Sequence, residues 1–220
     1  MNCELDHLVV LADTLAHGAA WCEATLGVAP GPGGRHALMG THNRVLRIDG
    51  DGFAQAYLEI VAIDPDAAPP GRARWFGMDD PAQQRQLRRN GPRLAHAVLR
   101  TPDAQQLHHG LGTLGCQPGR ALKISRETAS GTLHWCMLVR DERHRPASGH
   151  LPTLIQWQGM HPTEAMPASP VRLQSATLGG LPAPVRELLR LRGLSGHDTG
   201  PAVTVTLDTP RGAVTLHSTP

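Results

Sequence analysis

The sequence predicts an α+β fold made of two similar strand-helix-strand-strand-strand (βαβββ) modules, followed by a shortened third module. The same order of apolar runs and helix-capping signals occurs twice along the chain, which indicates one folding unit used twice. The chain also contains 24 glycines and 19 prolines but only four Trp, two Phe and one Tyr. Frequent turn residues between short apolar runs favour short strands over long helices.

The first module is predicted to span residues 1–80. Residues 5–11 form an apolar, β-branched run of strand length. Asp13 and Thr14 provide helix N-cap chemistry, and Gly27 is suited to end that helix in a left-handed conformation. Strand-like segments follow within residues 36–48 and at residues 56–63, separated by an Asp-Gly turn.

The second module is predicted to span residues 81–165. A connecting helix is capped by Asp80 and stops at Gly91, and a strand then covers residues 94–99. The next helix ends at Gly115, and nearly the same number of residues separates His7 from Gly27 as separates His96 from Gly115. Strands at 121–125, 132–139 and 151–157 complete the unit, with an arginine-rich loop containing Pro146 and Gly149 before the last.

Residues 166–220 are predicted to form the shortened third module, packed on the same domain. A strand at 173–178 precedes a helix at 184–191, and a hairpin over 203–216 turns at 209–212. Two roles suit this segment: it covers an exposed sheet edge, or it lines one end of a cavity.

Polar side chains inside apolar strands carry the main functional signal. They are His7, Glu59, His96 and Gln156. If the modules pack about a pseudo-twofold axis, these four converge, and a carboxylate buried in an apolar strand requires a partner because its desolvation is costly. Two imidazoles, a carboxylate and an amide oxygen suit a divalent ion such as Zn²⁺, Ni²⁺, Fe²⁺ or Mn²⁺. The alternative is that each histidine is a core residue with a satisfied hydrogen bond.

Composition argues against several partners. The formal net charge is +2 and the arginines are scattered, so nucleic acid is not expected to bind. No apolar stretch has the length of a membrane span, and the acidic N-terminal residues are unlike a signal peptide. The four cysteines form no CxxC pair. We therefore expect a cytoplasmic protein that is neither exported nor embedded in a membrane.

The chain resembles the vicinal-oxygen-chelate superfamily, and within it the glyoxalase-like domain proteins. The likeness rests on LDHLVVLADTLAHGAAWCEATLG, GGRHALMGTHNRVLRI and AYLEIVAID in the first module. Arg126, Gly131, Trp135, the LPTLIQW strand and His161-Pro162 are similar to the same group in the second module. The resemblance implies the glyoxalase/bleomycin-resistance/dioxygenase-like fold and frequent further association of the modules, hence a possible homodimer.

The resemblance also implies site residues. Glyoxalase I enzymes carry metal ligands at the module positions filled here by His7, Glu59, His96 and Gln156. Their last ligand is a glutamate that also transfers the proton, and the amide of Gln156 cannot take one at neutral pH. Glu59 or His36 is therefore expected to act as the proton-transferring group. A two-histidine-one-carboxylate set, as in extradiol dioxygenases, is available in His7, His96 and Glu59.

Further residues are predicted to contact a ligand. His36, Thr41 and Asn43 lie in a glycine-flanked segment, where turn formation is the alternative explanation, and Arg126 and Trp135 flank a predicted hairpin, where surface stacking is the alternative. The predicted function is a divalent-metal-dependent enzyme acting on a small oxygen-rich metabolite by lyase, isomerase or dioxygenase chemistry. The alternative is a metal-free protein that sequesters a small molecule.

Overall fold

The computed structural model describes residues 2–140 and 150–218 and has a mixed α+β architecture. Its helices are α1 Leu15–Leu26, α2 Pro81–Asn90, α3 Ala104–Thr113 and α4 Ala183–Leu189. The strands of the two modules are β1 Cys3–Leu11, β2 Arg35–His36, β3 Thr41–Arg47, β4 Tyr57–Ile63, β5 Arg93–Arg100, β6 Arg120–Thr128, β7 Gly131–Val139 and β8 Thr153–Gln158. The C-terminal strands are β9 Arg172–Leu178, β10 Leu191–Arg192, β11 Ser195–Gly196, β12 Val203–Thr209 and β13 Gly212–His217.

Local sequence signals set both ends of α1 and of α2 as predicted, whereas α3 and α4 end two residues earlier than predicted. The Thr14 side chain accepts a hydrogen bond from the His17 backbone N–H, and Gly27 ends α1 with φ of 75°. A side chain is disfavoured at such a positive φ, so glycine suits this position. Asp80 caps α2 through the Ala82 N–H. The predicted arginine-rich loop with Pro146 and Gly149 lies outside the described residues.

The large sheet has the order β2-β3-β4-β1-β5-β8-β7-β6, with β10 added beside β1. The first module supplies β2-β3-β4-β1 and the second supplies β5-β8-β7-β6, so the halves mirror each other across the antiparallel β1–β5 pair. This order confirms the paired βαβββ modules. The predicted boundaries near residues 80 and 165 stay a prediction.

The two faces of the large sheet have different partners. One face packs with α1, α3, α4 and the C-terminal segment in a core that includes Leu8, Ile60, Leu99, Leu111 and Leu189. The other face carries a second, smaller apolar cluster. Alternation along each strand thus sends one set of side chains to the main core and the other set to the face that carries the site.

The C-terminal segment forms a separate four-stranded sheet, β11-β9-β12-β13, behind the main core. Leu173 of β9 donates a backbone hydrogen bond to Ile48, and β10 pairs in parallel with β1 at Cys3 and Glu4. The segment therefore lies on the sheet face opposite the site. No helix within the described ranges combines the length and apolar character needed to cross a lipid bilayer.

Candidate active site

The second face of the large sheet surrounds a cavity of about 200 Å³. Its wall includes residues from β1, β3, β4, β6, β7 and β8, and its cover comes from the connector between β4 and α2. The apolar lining includes Trp75, Phe76, Leu133, Trp135, Met137 and Ile155. The polar lining includes His7, His36, Asn43, Glu59 and Arg126. A few polar groups in an apolar cavity are typical of a small-molecule site.

The two ends of the sheet meet at this cavity. His36 belongs to β2 at one end of the strand order, and Arg126 belongs to β6 at the other. Arg126 Nη1 lies 3.2 Å from His36 Nε2. The sheet therefore curls around the cavity, so each module contributes to the same site.

Glu59 is the buried carboxylate of the site, with 6% of its surface exposed. Its neighbours Leu58 and Ile60 point into the main core, so strand alternation directs Glu59 to the cavity. Asn43 Nδ2 donates a hydrogen bond of 2.6 Å to Oε1. The other oxygen, Oε2, lies 3.6 Å from His7 Nε2. One oxygen is thus fixed by an amide, and the second faces an imidazole.

His7 reaches the cavity because β1 contains an irregularity at the preceding residue. The pairing with β5 shifts between Leu5 and His7, so Asp6 is an extra residue in the strand. Leu5 and Leu8 both point into the main core, which requires such a bulge between them. The His7 ring stacks on Tyr57, with ring centroids 4.6 Å apart.

Asp6 is a fully buried carboxylate behind His7. It lies 2.6 Å from His7 Nδ1, accepts a hydrogen bond of 2.8 Å from Trp157 Nε1 and lies 3.1 Å from His161 Nε2. Burial raises its pKa, but the hydrogen bonds and charges of His161 and His7 outweigh burial and hold the pKa of Asp6 below its usual range. An ionised Asp6 keeps the proton of His7 on Nδ1 and fixes the ring.

His36 is a neutral imidazole linked to both modules. Burial lowers its pKa to about 4, with the Arg126 charge acting in the same direction and the Glu59 charge opposing both. A guanidinium only donates, so His36 Nε2 accepts from Arg126 and Nδ1 carries the proton toward Thr41 Oγ1, 3.1 Å away. Nε2 also lies 3.8 Å from Glu59 Oε1. His36 thus connects the carboxylate with the arginine.

The second module does not repeat this arrangement at the cavity. His96 Nε2 accepts the backbone N–H of Thr153 and lies 3.0 Å from the Thr153 hydroxyl. Burial lowers the pKa of His96 well below its usual value. The Gln156 amide oxygen accepts the N–H of Ala104 at the start of α3. Neither His96 nor Gln156 lines the cavity.

Strand register explains the difference between the modules. Glu59 pairs with Val9, two residues after His7, and Thr153 pairs with Val98, two residues after His96. The counterpart of Glu59 is therefore Thr153, and Gln156 lies on the opposite strand face from Ile155. A neutral hydroxyl occupies the position that the carboxylate holds in the first module.

The residues present do not fit a metal site with the predicted ligands. Of the four, His7 and Glu59 face one another, whereas His96 and Gln156 are bound elsewhere. In the part of the chain that the structure describes, no three His, Cys, Asp or Glu residues are grouped to hold an ion. Catalytic metal sites in proteins commonly use three protein ligands, so two facing donors fall short.

The structure brings most of the other predicted residues to the cavity. His36, Asn43, Arg126 and Trp135 line it, and Thr41 lies behind His36. Sequence reasoning missed Asp6, Tyr57, Trp75, Trp157 and the role of His161. The sequence did contain a signal for Asp6. It is an acidic residue next to a histidine, at a point in the strand where apolar and polar residues no longer alternate.

Comparisons with known proteins agree with this architecture. A family model described as a glyoxalase-like domain matches residues 5–190. A solved structure of a hypothetical protein from Staphylococcus aureus has 15% identity and a TM-score of 0.54, and the match covers 81% of this chain and 70% of that one. That likeness shows the fold alone.

Two structures of methylmalonyl-CoA epimerase also align with the chain. Methylmalonyl-CoA epimerase from Streptomyces coelicolor has 20% identity and a TM-score of 0.44 over 71% of this chain and 96% of its own. Methylmalonyl-CoA epimerase from Mycobacterium tuberculosis has 14% identity and a TM-score of 0.41 over 74% and 91%. No curated protein matches the sequence.

Proposed function

The chain belongs to the glyoxalase-like domain family, and from this premise we propose that it is an enzyme that transfers a proton at a carbon beside a carbonyl of a small molecule. Such a reaction belongs to the isomerase or lyase part of the predicted range. The single observation that carries the proposal is the buried Glu59 carboxylate, which faces the cavity with Oε1 held by Asn43. A carboxylate positioned in an apolar cavity is suited to general base catalysis.

Glu59 Oε2 takes the proton in this proposal. The C–H bond next to the carbonyl breaks, its electron pair forms the enolate, and the proton moves to Oε2. The proton on Oε2 is then replaced by one from solvent, and Glu59 delivers that solvent-derived proton to the carbon, which completes an exchange. For an inversion, a second group must instead protonate the opposite face of the enolate. Asn43 holds the other oxygen, so the carboxylate keeps one orientation during both steps.

His7 is proposed as the second proton-handling group. Its Nε2 lies 3.6 Å from Glu59 Oε2, while Nδ1 is held by the Asp6 carboxylate. This arrangement leaves Nε2 as the ring nitrogen that faces Glu59 and the cavity. His36 is proposed as a positioning residue, because its Nε2 accepts from Arg126. The prediction that His36 itself transfers a proton stays a prediction.

The divalent ion predicted from the sequence also stays a prediction. His7 and Glu59 are two donors, and no step above is assigned to a metal. We expect catalysed exchange to survive dialysis against a chelator. Elemental analysis of protein purified without chelators or a nickel column is the direct measurement, and a stoichiometric ion lost in Glu59→Ala would contradict this expectation.

Sequestration of an apolar small molecule is the second candidate function. It is supported by the aromatic lining, in which the rings of Trp135 and Trp157 lie 5.4 Å apart. A sequestering protein would bind a carbonyl compound without accelerating exchange of its C–H protons. Small-molecule binding alone therefore does not distinguish the two functions.

Proton exchange tests the proposal directly. The probes are benzylacetone and phenylpyruvate in deuterium oxide, and the measurement is the rate of C–H loss by proton NMR above the uncatalysed background. The wild-type protein is expected to accelerate exchange in at least one probe, and Glu59→Gln to reduce that acceleration by roughly 10²–10⁴-fold. Glu127→Gln, on an exposed part of β6, is the matched control and should keep the wild-type rate. Background exchange in both probes, or full activity in Glu59→Gln, would reject the proposal.

A further inference from the structure

The cavity contains a guanidinium without an acidic partner. Among the described residues Arg126 makes no salt bridge to a carboxylate, and its Nη1 donates to His36 Nε2. Its Nε is buried and has no hydrogen-bond partner within residues 2–140 and 150–218. An unsatisfied donor of a buried charged group is costly, so this edge of the guanidinium is suited to an acceptor supplied by a ligand.

A second donor on the cavity wall is also unpartnered. Trp75 is 5% exposed, and its indole Nε1 has no hydrogen-bond partner in the part of the chain that the structure describes. A buried indole N–H usually finds an acceptor. The Trp75 ring lies edge-on to His36, with ring centroids 4.9 Å apart, so it neighbours the imidazole that Arg126 contacts. Two side chains with a donor that lacks an acceptor among the described residues thus both contact His36.

A glycine allows the arginine to occupy this position. A Cβ added at Gly34 would lie 2.8 Å from Arg126 Nη1 and 3.0 Å from Cζ. Any side chain at residue 34 would therefore displace the guanidinium. Gly34 also donates its N–H to the Asn43 amide oxygen, which fixes the loop against the Glu59 side of the site.

We infer that the substrate is a monocarboxylate whose anionic group binds Arg126 and whose apolar remainder contacts the aromatic and methionine side chains of the cavity. A planar guanidinium matches a carboxylate through two parallel hydrogen bonds, and Nε with Nη2 forms such an edge. Arg126 is the single arginine or lysine among the lining residues that the structure describes, which favours one carboxylate over a multiply charged phosphate ester.

The position of the arginine also orients the substrate, on the assumption that the proposed function is correct. His36 Nε2 lies 3.2 Å from Arg126 Nη1 and 3.8 Å from Glu59 Oε1. Arg126, which is proposed to bind the carboxylate, and Glu59, the proposed base, therefore both lie beside His36 Nε2. A substrate bound in this way must have its acidic C–H only a few bonds from its own carboxylate group. Short carbonyl acids have this arrangement.

Binding of an unreactive pair of ligands tests the inference without any turnover. Hydrocinnamate carries a carboxylate, and hydrocinnamamide has the same shape without charge. Titration calorimetry is expected to show at least roughly tenfold tighter binding of the acid, since a charge-assisted bidentate contact adds about 1.4 kcal/mol or more. Arg126→Gln should reduce this preference to near unity, and Arg120→Gln, which removes an exposed charge from the same strand, should preserve it.

A second variant separates the arginine's position from its charge. Gly34→Ala keeps the net charge but displaces the guanidinium, so the acid should lose at least part of its advantage over the amide. Equal affinity of acid and amide for the wild-type protein, no binding of the acid at millimolar concentration, or an unchanged preference in Arg126→Gln would each overturn the inference. Glu59→Gln should retain the preference for the acid even though its exchange activity falls, so failure of the proposed base and failure of the carboxylate site remain distinguishable.

Discussion

At the scale of single residues, the site depends on two buried carboxylates that have different partners. Asp6 is surrounded by His7, Trp157 and His161 and is not among the residues that line the cavity. Glu59 lines the cavity and keeps one oxygen free of hydrogen bonds from the described protein. The first arrangement fixes neighbouring rings, and the second leaves an oxygen available for chemistry.

Asp6→Asn tests the structural importance of the first carboxylate. The amide removes the charge that His7 and His161 contact and places an N–H₂ group among donors, so we expect a loss of about 3 kcal/mol in the free energy of unfolding. Urea denaturation measures the change. Asp13→Asn is the matched control, because Asp13 also lies beside a histidine, but His17 there is 45% exposed at its side chain. The control should lose less than about 1 kcal/mol, and a similar loss in both variants would contradict the assigned role of Asp6.

At the scale of elements, the connector between β4 and α2 forms part of the cavity wall. Trp75 and Phe76 lie in its short helical turn, and Phe76 adopts a positive φ of 57°. Gln83 on α2 is 3% exposed and donates its amide to the Phe76 carbonyl at 2.9 Å. One helix side chain therefore holds the strained residue of the cover in place.

Gln83→Leu is expected to weaken this attachment. The Phe76 carbonyl would lose its partner inside the protein, so the free energy of unfolding should fall by about 1–3 kcal/mol. The affinity for hydrocinnamate should fall as well, because Trp75 and Phe76 would no longer be held against the cavity. Gln86→Leu, the same change on the exposed side of α2, is the control. Equal stability of the two variants would show that the Gln83 contact does not hold the cover.

Most strands and helices could be predicted from the sequence. Which side chains of those strands point into the cavity could be predicted only in part. Capping residues such as Thr14, Gly27 and Asp80 act locally, so the helix boundaries follow from short motifs. The inward position of Gln156 was inferred from its polarity within an apolar strand, but register places Ile155 and Trp157 toward the cavity. Register and the bulge at Asp6 depend on pairing with distant strands, which a local pattern does not specify.

At the scale of the whole molecule, two modules of similar fold form one site to which they contribute different functional groups. The first module supplies the polar groups of His7, Asn43 and Glu59, the second supplies Arg126, and both contribute apolar side chains to the wall. Of the predicted third module, Met166 lines this cavity, whereas the described strands of the C-terminal sheet pack on the main core instead. The predicted cytoplasmic location and homodimer stay predictions, and native mass spectrometry measures the latter.

Burial of neutral histidines is expected to make the whole fold sensitive to acid. Burial lowers the pKa of His36 from 6.5 to about 4, and burial also lowers the pKa of His96 well below its usual value. Between pH 4 and 6.5 the unfolded chain binds more protons at these residues than the folded chain does, so stability rises with pH across that window and falls as the pH is lowered. The lowered pKa of Asp6 adds a further loss below its ordinary value of 3.8.

His36→Gln isolates one part of this dependence. The groups that set the pKa of His36 besides burial are Glu59, Arg126, His7 and His42. Removing the titrating ring should reduce the slope of the free energy of unfolding by up to about 1.4 kcal/mol per pH unit within the window. Urea denaturation at a series of pH values measures the slope, and His17→Gln, which removes a half-exposed histidine from α1, should leave it unchanged. A His36→Gln curve parallel to the wild-type curve would mean that the imidazole titrates alike in both states, and that it is not held neutral by burial between the two ends of the sheet.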